Sequence, residues 1–132
     1  VIHRMAAGTG KRVRETIAGN ISTPKTILMK SARDRDTNVA YNVACNPNVP
    51  REALTILAER RNIGILVAVV RNKNTPEEAL AKLARNNNRN LRLLIAEHEN
   101  TSRETLEFLL LKAVKEADQK LAETVRLALA KQ

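Results

Sequence analysis

The chain has 132 residues, of which 43% are hydrophobic and 2% aromatic, so it can bury an aliphatic core and is unlike a disordered segment. Its net charge of +9 favours acidic partners, and its single cysteine, Cys45, excludes an internal disulfide. No apolar run reaches the roughly 18 residues of a membrane span and no signal-peptide pattern is present, so we predict a cytoplasmic chain with no membrane partner.

A period of 26 residues orders the chain. The frame is carried by Pro24, Pro50, Pro76 and Ser102, and by Leu28, Leu54, Leu80 and Leu106. Self-similarity at such a period is typical of stacked repeats. In each unit a stripe of Leu and Ala at helical spacing predicts a first α-helix of about ten residues. A second, shorter stripe predicts a short helix that is either α or 3₁₀.

The period divides the chain into five segments, which are a partial repeat at 1–19, repeats at 20–45, 46–71 and 72–97, and a C-terminal capping repeat at 98–132. In the partial repeat, Ile2, Met5 and Ala6 align with a first helix, so we expect its beginning to lie before residue 1. Such an open end would allow end-to-end self-association.

Two further features complete the predicted helices. In repeat 72–97, Thr75 is expected to cap the first helix, with Pro76 at its first position. In the capping repeat, residues 112–120 are expected to elongate a helix. We therefore predict one all-α domain, an α-solenoid of about four to five two-helix repeats.

The motif Asn-Pro-x-x-Pro followed by Leu-x-x-Leu-Ala occurs at Asn46, Pro47, Pro50, Leu54, Leu57 and Ala58, before a second stripe that ends at Asn72. This pattern resembles the leucine-rich repeat variant family over nearly the whole chain, although repeats 20–45 and 98–132 lack part of it. The resemblance implies a right-handed superhelix in which α-helices alternate with 3₁₀-helices. HEAT-type repeats fit less well, since their units run to roughly 40 residues.

The same resemblance bears on cofactors. Some members of the family hold an iron–sulfur cluster on an N-terminal segment rich in cysteine, and such clusters need several thiolates. This chain has Cys45 alone. We therefore expect no cofactor in this sequence.

Asparagines recur in the frame as two sets, one of Asn20, Asn46 and Asn72 with His98, and one of Asn48, Asn74 and Asn100 with Ser22. They could form a ladder of hydrogen bonds to a ligand. Alternatively, each side chain bonds local backbone where a helix ends, a position that tolerates left-handed geometry. We favour the second interpretation.

Basic residues gather in or beside the links between the two helices of each unit. They are Lys11, Arg12, Arg14, Arg33, Arg35, Arg60, Arg61, Arg85, Arg89 and Arg92. Stacked links would form a basic edge able to follow phosphates with salt-sensitive affinity. Alternatively, these cations serve solubility and helix C-termini. Asp34, Asp36 and Glu59 dilute the positive charge of the edge.

No Ser-His-Asp set, glycine-rich phosphate loop or metal-binding cluster can be assembled, so we predict no catalytic or metal-binding residues and no small-molecule substrate. The first hypothesis is a non-enzymatic scaffold whose repeat surface binds a protein, favoured to be acidic. The alternative is sequence-nonspecific binding to a nucleic-acid backbone. A remote alternative is a DNA-repair glycosylase built from helical repeats, which would need more aromatic side chains than Tyr41 and Phe108.

Overall fold

The computed structural model describes residues 10–132. Within this range the chain forms nine α-helices and no strand, so the prediction of an all-α fold is confirmed. The first helix predicted for the partial repeat, with Ile2, Met5 and Ala6, lies outside the described residues.

Helices of two lengths alternate along most of the chain. The nine-residue helices are α1 (Lys11–Gly19), α3 (Thr37–Cys45), α5 (Ile63–Arg71) and α7 (Arg89–Glu97). The seven-residue helices are α2 (Lys25–Ser31), α4 (Arg51–Leu57) and α6 (Glu77–Leu83), and two longer helices follow, α8 (Arg103–Lys115) and α9 (Gln119–Ala130). Equivalent helices from α1 to α8 begin 26 residues apart, so the period of the sequence is also a period of structure.

The relative lengths of the two helices differ from the prediction. The first helices of repeats 20–45, 46–71 and 72–97 have seven residues rather than ten because their last turn tightens. In α2, the Arg33 N–H donates to the Lys30 carbonyl at 3.1 Å and the Asp34 N–H to the Ser31 carbonyl at 3.0 Å. These are bonds of the 3₁₀ type. The second helix is α-helical with nine residues, so its 3₁₀ alternative is wrong. The 3₁₀ geometry belongs to the end of the first helix.

Polar side chains at matching positions begin the second helices. The Asp36 carboxylate accepts from the backbone N–H groups of Asn38 at 2.9 Å and Val39 at 3.3 Å. The amides of Asn62 and Asn88 each accept from one N–H of the following turn at 3.1 Å. Each such cap contributes about 1 kcal/mol to helix stability. They help these short helices to reach nine residues.

The first helices begin differently from the prediction. Pro76, rather than Thr75, occupies the N-cap position of α6, so the predicted register is wrong by one residue. The Thr75 hydroxyl is buried and donates to the Val69 carbonyl at the end of α5. Thr23 and Thr101 bond the ends of α1 and α7 in the same way, at 2.5 and 2.6 Å. These threonines close the preceding helix.

The chain divides into two compact units, the first of which ends at Thr75. In this unit α1 packs against α3, α3 against α5, and α2 against α4. Leu28, Val43, Leu54 and Leu57 are completely buried. The apolar stripes predicted from the sequence therefore form the interior of this unit.

The second unit runs from Pro76 to Gln132, and in it α9 packs against both α7 and α8. Leu109 and Leu121 lie in its core. The elongated helix predicted over residues 112–120 ends at Lys115, because Ala117 adopts a left-handed conformation with φ of 57° and turns the chain. A bond of 2.8 Å from the Asp118 N–H to the Ala113 carbonyl closes this turn.

Asp118 links the start of α9 to Arg89. Its carboxylate accepts from Arg89 Nε at 2.7 Å and from the Leu121 N–H at 3.1 Å. The Arg89 guanidinium, followed by the Leu121 N–H, holds the pKa of Asp118 below its usual value of 3.8. A carboxyl with a lowered pKa in the folded state stabilises the fold above its unfolded pKa, and this contribution disappears as pH falls through the folded pKa.

We therefore expect Asp118→Asn, which keeps a capping side chain but no charge, to lower Tm at neutral pH. The difference in Tm from the wild-type protein should shrink as pH falls below 3.8 and through the lowered pKa of Asp118, where the wild-type side chain also loses its charge. Thermal denaturation followed by circular dichroism over this pH range measures it. A difference that stays constant with pH would show that the ion pair does not contribute.

Candidate functional site

Asn46 bonds to the preceding repeat. Its side chain is 1% exposed, and Nδ2 donates to the carbonyls of Ala18 and Asn20, both at 2.9 Å. Its Oδ1 accepts from the Asn48 N–H at 2.9 Å. One amide thus satisfies the end of α1 and fixes the turn that follows α3.

Asn72 repeats this geometry one unit later. Nδ2 donates to Ala44 at 2.9 Å and to Asn46 at 3.3 Å, while Oδ1 accepts from the Asn74 N–H at 2.9 Å. His98 takes the acceptor role in the last repeat, through a bond of 3.0 Å from the Asn100 N–H to Nδ1. These bonds confirm that Asn46, Asn72 and His98 bond backbone groups where helices end.

Two structural features of Asn20, Asn46 and Asn72 differ from the prediction. The backbone at Asn20, Asn46 and Asn72 is extended with negative φ, so the suggested left-handed geometry is wrong there. The bonds between consecutive repeats were not foreseen. Asn48 and Asn74 add to them by donating to the carbonyls of Ile21 and Pro47. The recurrence of Asn every 26 residues was the available signal.

In the first unit, three residues of the predicted basic edge form hydrogen bonds or ion pairs with other residues of the chain. Arg14 Nε donates to Asp34 Oδ2 at 2.8 Å, and Lys11 Nζ lies 3.5 Å from Asp36 Oδ2. Arg60 Nη1 donates to the carbonyl of Asp34 at 2.9 Å and to that of Ala32 at 3.4 Å. The Arg60 bonds join two successive links, since Arg60 and Asp34 lie 26 residues apart.

In the second unit, Arg92 is 3% exposed and makes three side-chain bonds. It donates to the Asn86 carbonyl at 3.1 Å, to Glu116 Oε1 at 2.9 Å and to Asn87 Oδ1 at 3.3 Å. Such a buried cation requires these partners, so Arg92 serves the fold. A signal existed in the sequence, because the equivalent positions one and two repeats earlier are Leu66 and Ala40, which are both apolar.

Two further members of the predicted edge also have partners in the second unit. Arg89 forms the ion pair with Asp118 described above. The Arg85 guanidinium lies 5.3 Å from the centre of the Phe108 ring, within the range of a cation–π contact. Arg85 remains exposed on its other side.

Four members of the predicted edge have exposed or solvent-facing side chains with no hydrogen bond, ion pair or ring contact to any described residue. They are Arg12, Arg33, Arg35 and Arg61. All four belong to the first unit. The structure thus separates the predicted edge into arginines and a lysine that hold the fold and arginines that remain available to a partner.

Most of the net positive charge of the chain also belongs to the first unit. Residues 1–75 carry 13 basic and 5 acidic side chains, a net charge of +8, whereas residues 76–132 carry 10 and 9, a net charge of +1. The first unit therefore creates most of the positive field, which attracts acidic macromolecules.

Comparison of the chain with protein-family models, curated proteins and solved structures gave no match. Over residues 10–132, no group of three or more His, Cys, Asp or Glu side chains is placed to hold a metal ion. None of the helices in that range has the length and apolar character needed to cross a membrane.

Proposed function

We propose that the protein is a non-enzymatic scaffold that binds an acidic protein partner through its first unit. We also propose that its 26-residue units stack as a right-handed solenoid related to leucine-rich repeat variant proteins, with α-helices in place of the 3₁₀-helices. The equal spacing of the helices and the bonds of Asn46, Asn72 and Arg60 to preceding repeats support this arrangement.

The observation that carries the proposal is a group of available arginines on neighbouring links. Arg33 and Arg35 lie on the link after α2, and Arg61 lies on the link after α4. The bond from Arg60 to the Asp34 carbonyl holds these two links together. Guanidinium groups form strong paired hydrogen bonds with carboxylates, so an acidic protein segment suits this group.

Binding to a nucleic-acid backbone is the second candidate, because the same guanidinium groups suit phosphates. Base stacking would add affinity for single strands. Tyr41 is the one aromatic residue of the first unit, and Phe108 of the second unit contacts Arg85. The shortage of stacking side chains favours a protein partner.

We expect Arg33→Glu, Arg35→Glu and Arg61→Glu, combined in one variant, to reduce partner capture by about tenfold or more, because the carboxylates of the partner would then be repelled. Tm should change little, since none of these side chains holds another described residue in place. Capture from a nuclease-treated extract of the source cells, quantified by mass spectrometry, measures the effect.

The matched control reverses the same number of charges at exposed positions of the second unit, with Lys115→Glu, Lys120→Glu and Arg126→Glu. This variant should capture as much protein as the wild-type chain. If nuclease treatment removes all bound material, the second candidate replaces the first. Equal loss in both variants would show that net charge, rather than the arginine group, governs binding.

A further inference from the structure

The first unit contains a pocket at the ends of α2 and α4. Its lining residues are Ala32, Arg33, Asp34, Arg35, Ile56, Glu59 and Arg60. Ala32 is buried and Ile56 is half-buried, so part of the lining is aliphatic. Three arginines supply the positive part of the lining. The pocket thus combines cations with an apolar surface.

Two carboxylates also line the pocket. Asp34 is already engaged, since its carboxylate accepts from Arg14 Nε at 2.8 Å and from the Asp36 N–H at 2.9 Å. Glu59 contributes one further negative charge and has an interaction of its own with the protein. The pocket lining therefore carries three arginines and two carboxylates, and one of these carboxylates is already paired with Arg14. The net charge of the pocket is positive.

Arg60 gives the pocket a fixed donor group. Its Nη1 is held by the carbonyls of Ala32 and Asp34. Its Nε and Nη2 make no hydrogen bond with any described residue, so both remain available as donors. Because the guanidinium is already ordered, a ligand that binds it loses less conformational entropy than one that must order a free arginine.

We propose that this pocket binds a peptide segment in which acidic residues flank an aliphatic one. The carboxylates pair with Arg33, Arg35 and the free donors of Arg60, and the aliphatic side chain packs against Ile56. A nucleic-acid backbone would use the cations but has no aliphatic group for Ile56. The inference rests on the proposed function and names the chemistry of the partner segment.

Fluorescence anisotropy with a labelled synthetic peptide that alternates Glu-Glu with Leu tests the inference. We expect saturable binding by the full chain. The combined variant Arg33→Gln and Arg35→Gln should bind at least about tenfold more weakly, since two charge-assisted contacts are lost. Arg51→Gln with Arg71→Gln, which removes two exposed cations of the same unit outside the pocket, should change affinity far less.

The apolar contact is tested separately. Ile56→Ala should weaken binding of the peptide by about fivefold, whereas Ile63→Ala, an exposed isoleucine outside the pocket, should not. A second peptide with Ser in place of Leu should bind more weakly than the first. Equal affinity for both peptides, or no effect of Ile56→Ala, would overturn the inference.

Two outcomes separate this inference from the proposed function. If the peptide does not bind but the charge-reversed variant still loses its captured protein, the pocket assignment is wrong and the scaffold function stands. If neither measurement depends on the arginines, both are wrong. A single-stranded oligothymidylate that binds more tightly than the peptide would also overturn the inference, in favour of a nucleic-acid partner.

Discussion

Replacing Asn46 by alanine is expected to lower the free energy of unfolding by about 3 kcal/mol, which is a large share of the stability of a domain of this size. The amide donates to the carbonyls of Ala18 and Asn20 and accepts from the Asn48 N–H. Alanine leaves these groups without that partner in a site that is 1% exposed. Buried polar groups without partners account for most of the loss.

Denaturant unfolding followed by circular dichroism measures this loss. Asn38→Ala is the matched control, because Asn38 is exposed on the same helix, α3, and its side chain makes no hydrogen bond to a described residue. We expect the control to change stability by less than about 0.5 kcal/mol. Similar stability of both variants would contradict the proposal that the side-chain hydrogen bonds of Asn46 stabilise the fold.

Leu54→Ala is expected to destabilise the protein by about 3 kcal/mol, within the usual range for removal of a buried leucine. Leu54 is 0% exposed in α4 and belongs to the leucine frame that defines the repeat. The loss combines the transfer free energy of the deleted atoms with the cost of a cavity between packed helices.

Leu111→Ala is the control for this prediction. Leu111 is 73% exposed on α8, so its truncation removes few contacts, and alanine favours the helix. We expect a change of less than about 0.5 kcal/mol. A destabilisation at Leu111 that matches that at Leu54 would mean that the repeat frame does not identify the core.

The helices could largely be predicted from the sequence because their signals are local. Spacing of Leu54, Leu57 and Ala58 is a property of neighbouring turns, and the 26-residue period repeats that signal along the chain. The lengths of the helices were harder to predict from the sequence. The competition between α and 3₁₀ bonds after Ser31 and Ile56 depends on weak differences that residue spacing does not report.

The candidate site could be predicted only in part. The sequence placed the cations in or beside the links, and five of them lie within helices α1 and α7, namely Lys11, Arg12, Arg14, Arg89 and Arg92. The sequence did not separate Arg60 and Arg92 from Arg33 and Arg35. That separation depends on partners far along the chain, such as Glu116 for Arg92. Ion pairs of this kind form only after helices pack, and no local pattern encodes them. The frame position of Arg92 gave a partial signal, since the two preceding repeats place the apolar residues Leu66 and Ala40 there, whereas the partial repeat has Arg14.

We propose that the residues repeated every 26 positions hold the fold, whereas the arginines of the links bind the partner. The most direct test compares protein capture by two variants, Asn46→Ala and the combined Arg33→Glu, Arg35→Glu and Arg61→Glu. Capture is measured at a temperature where Asn46→Ala is fully folded. We predict that Asn46→Ala captures as much protein as the wild-type chain and that the reversed variant captures about tenfold less. Loss of capture by folded Asn46→Ala, with capture retained after charge reversal, would contradict the claim.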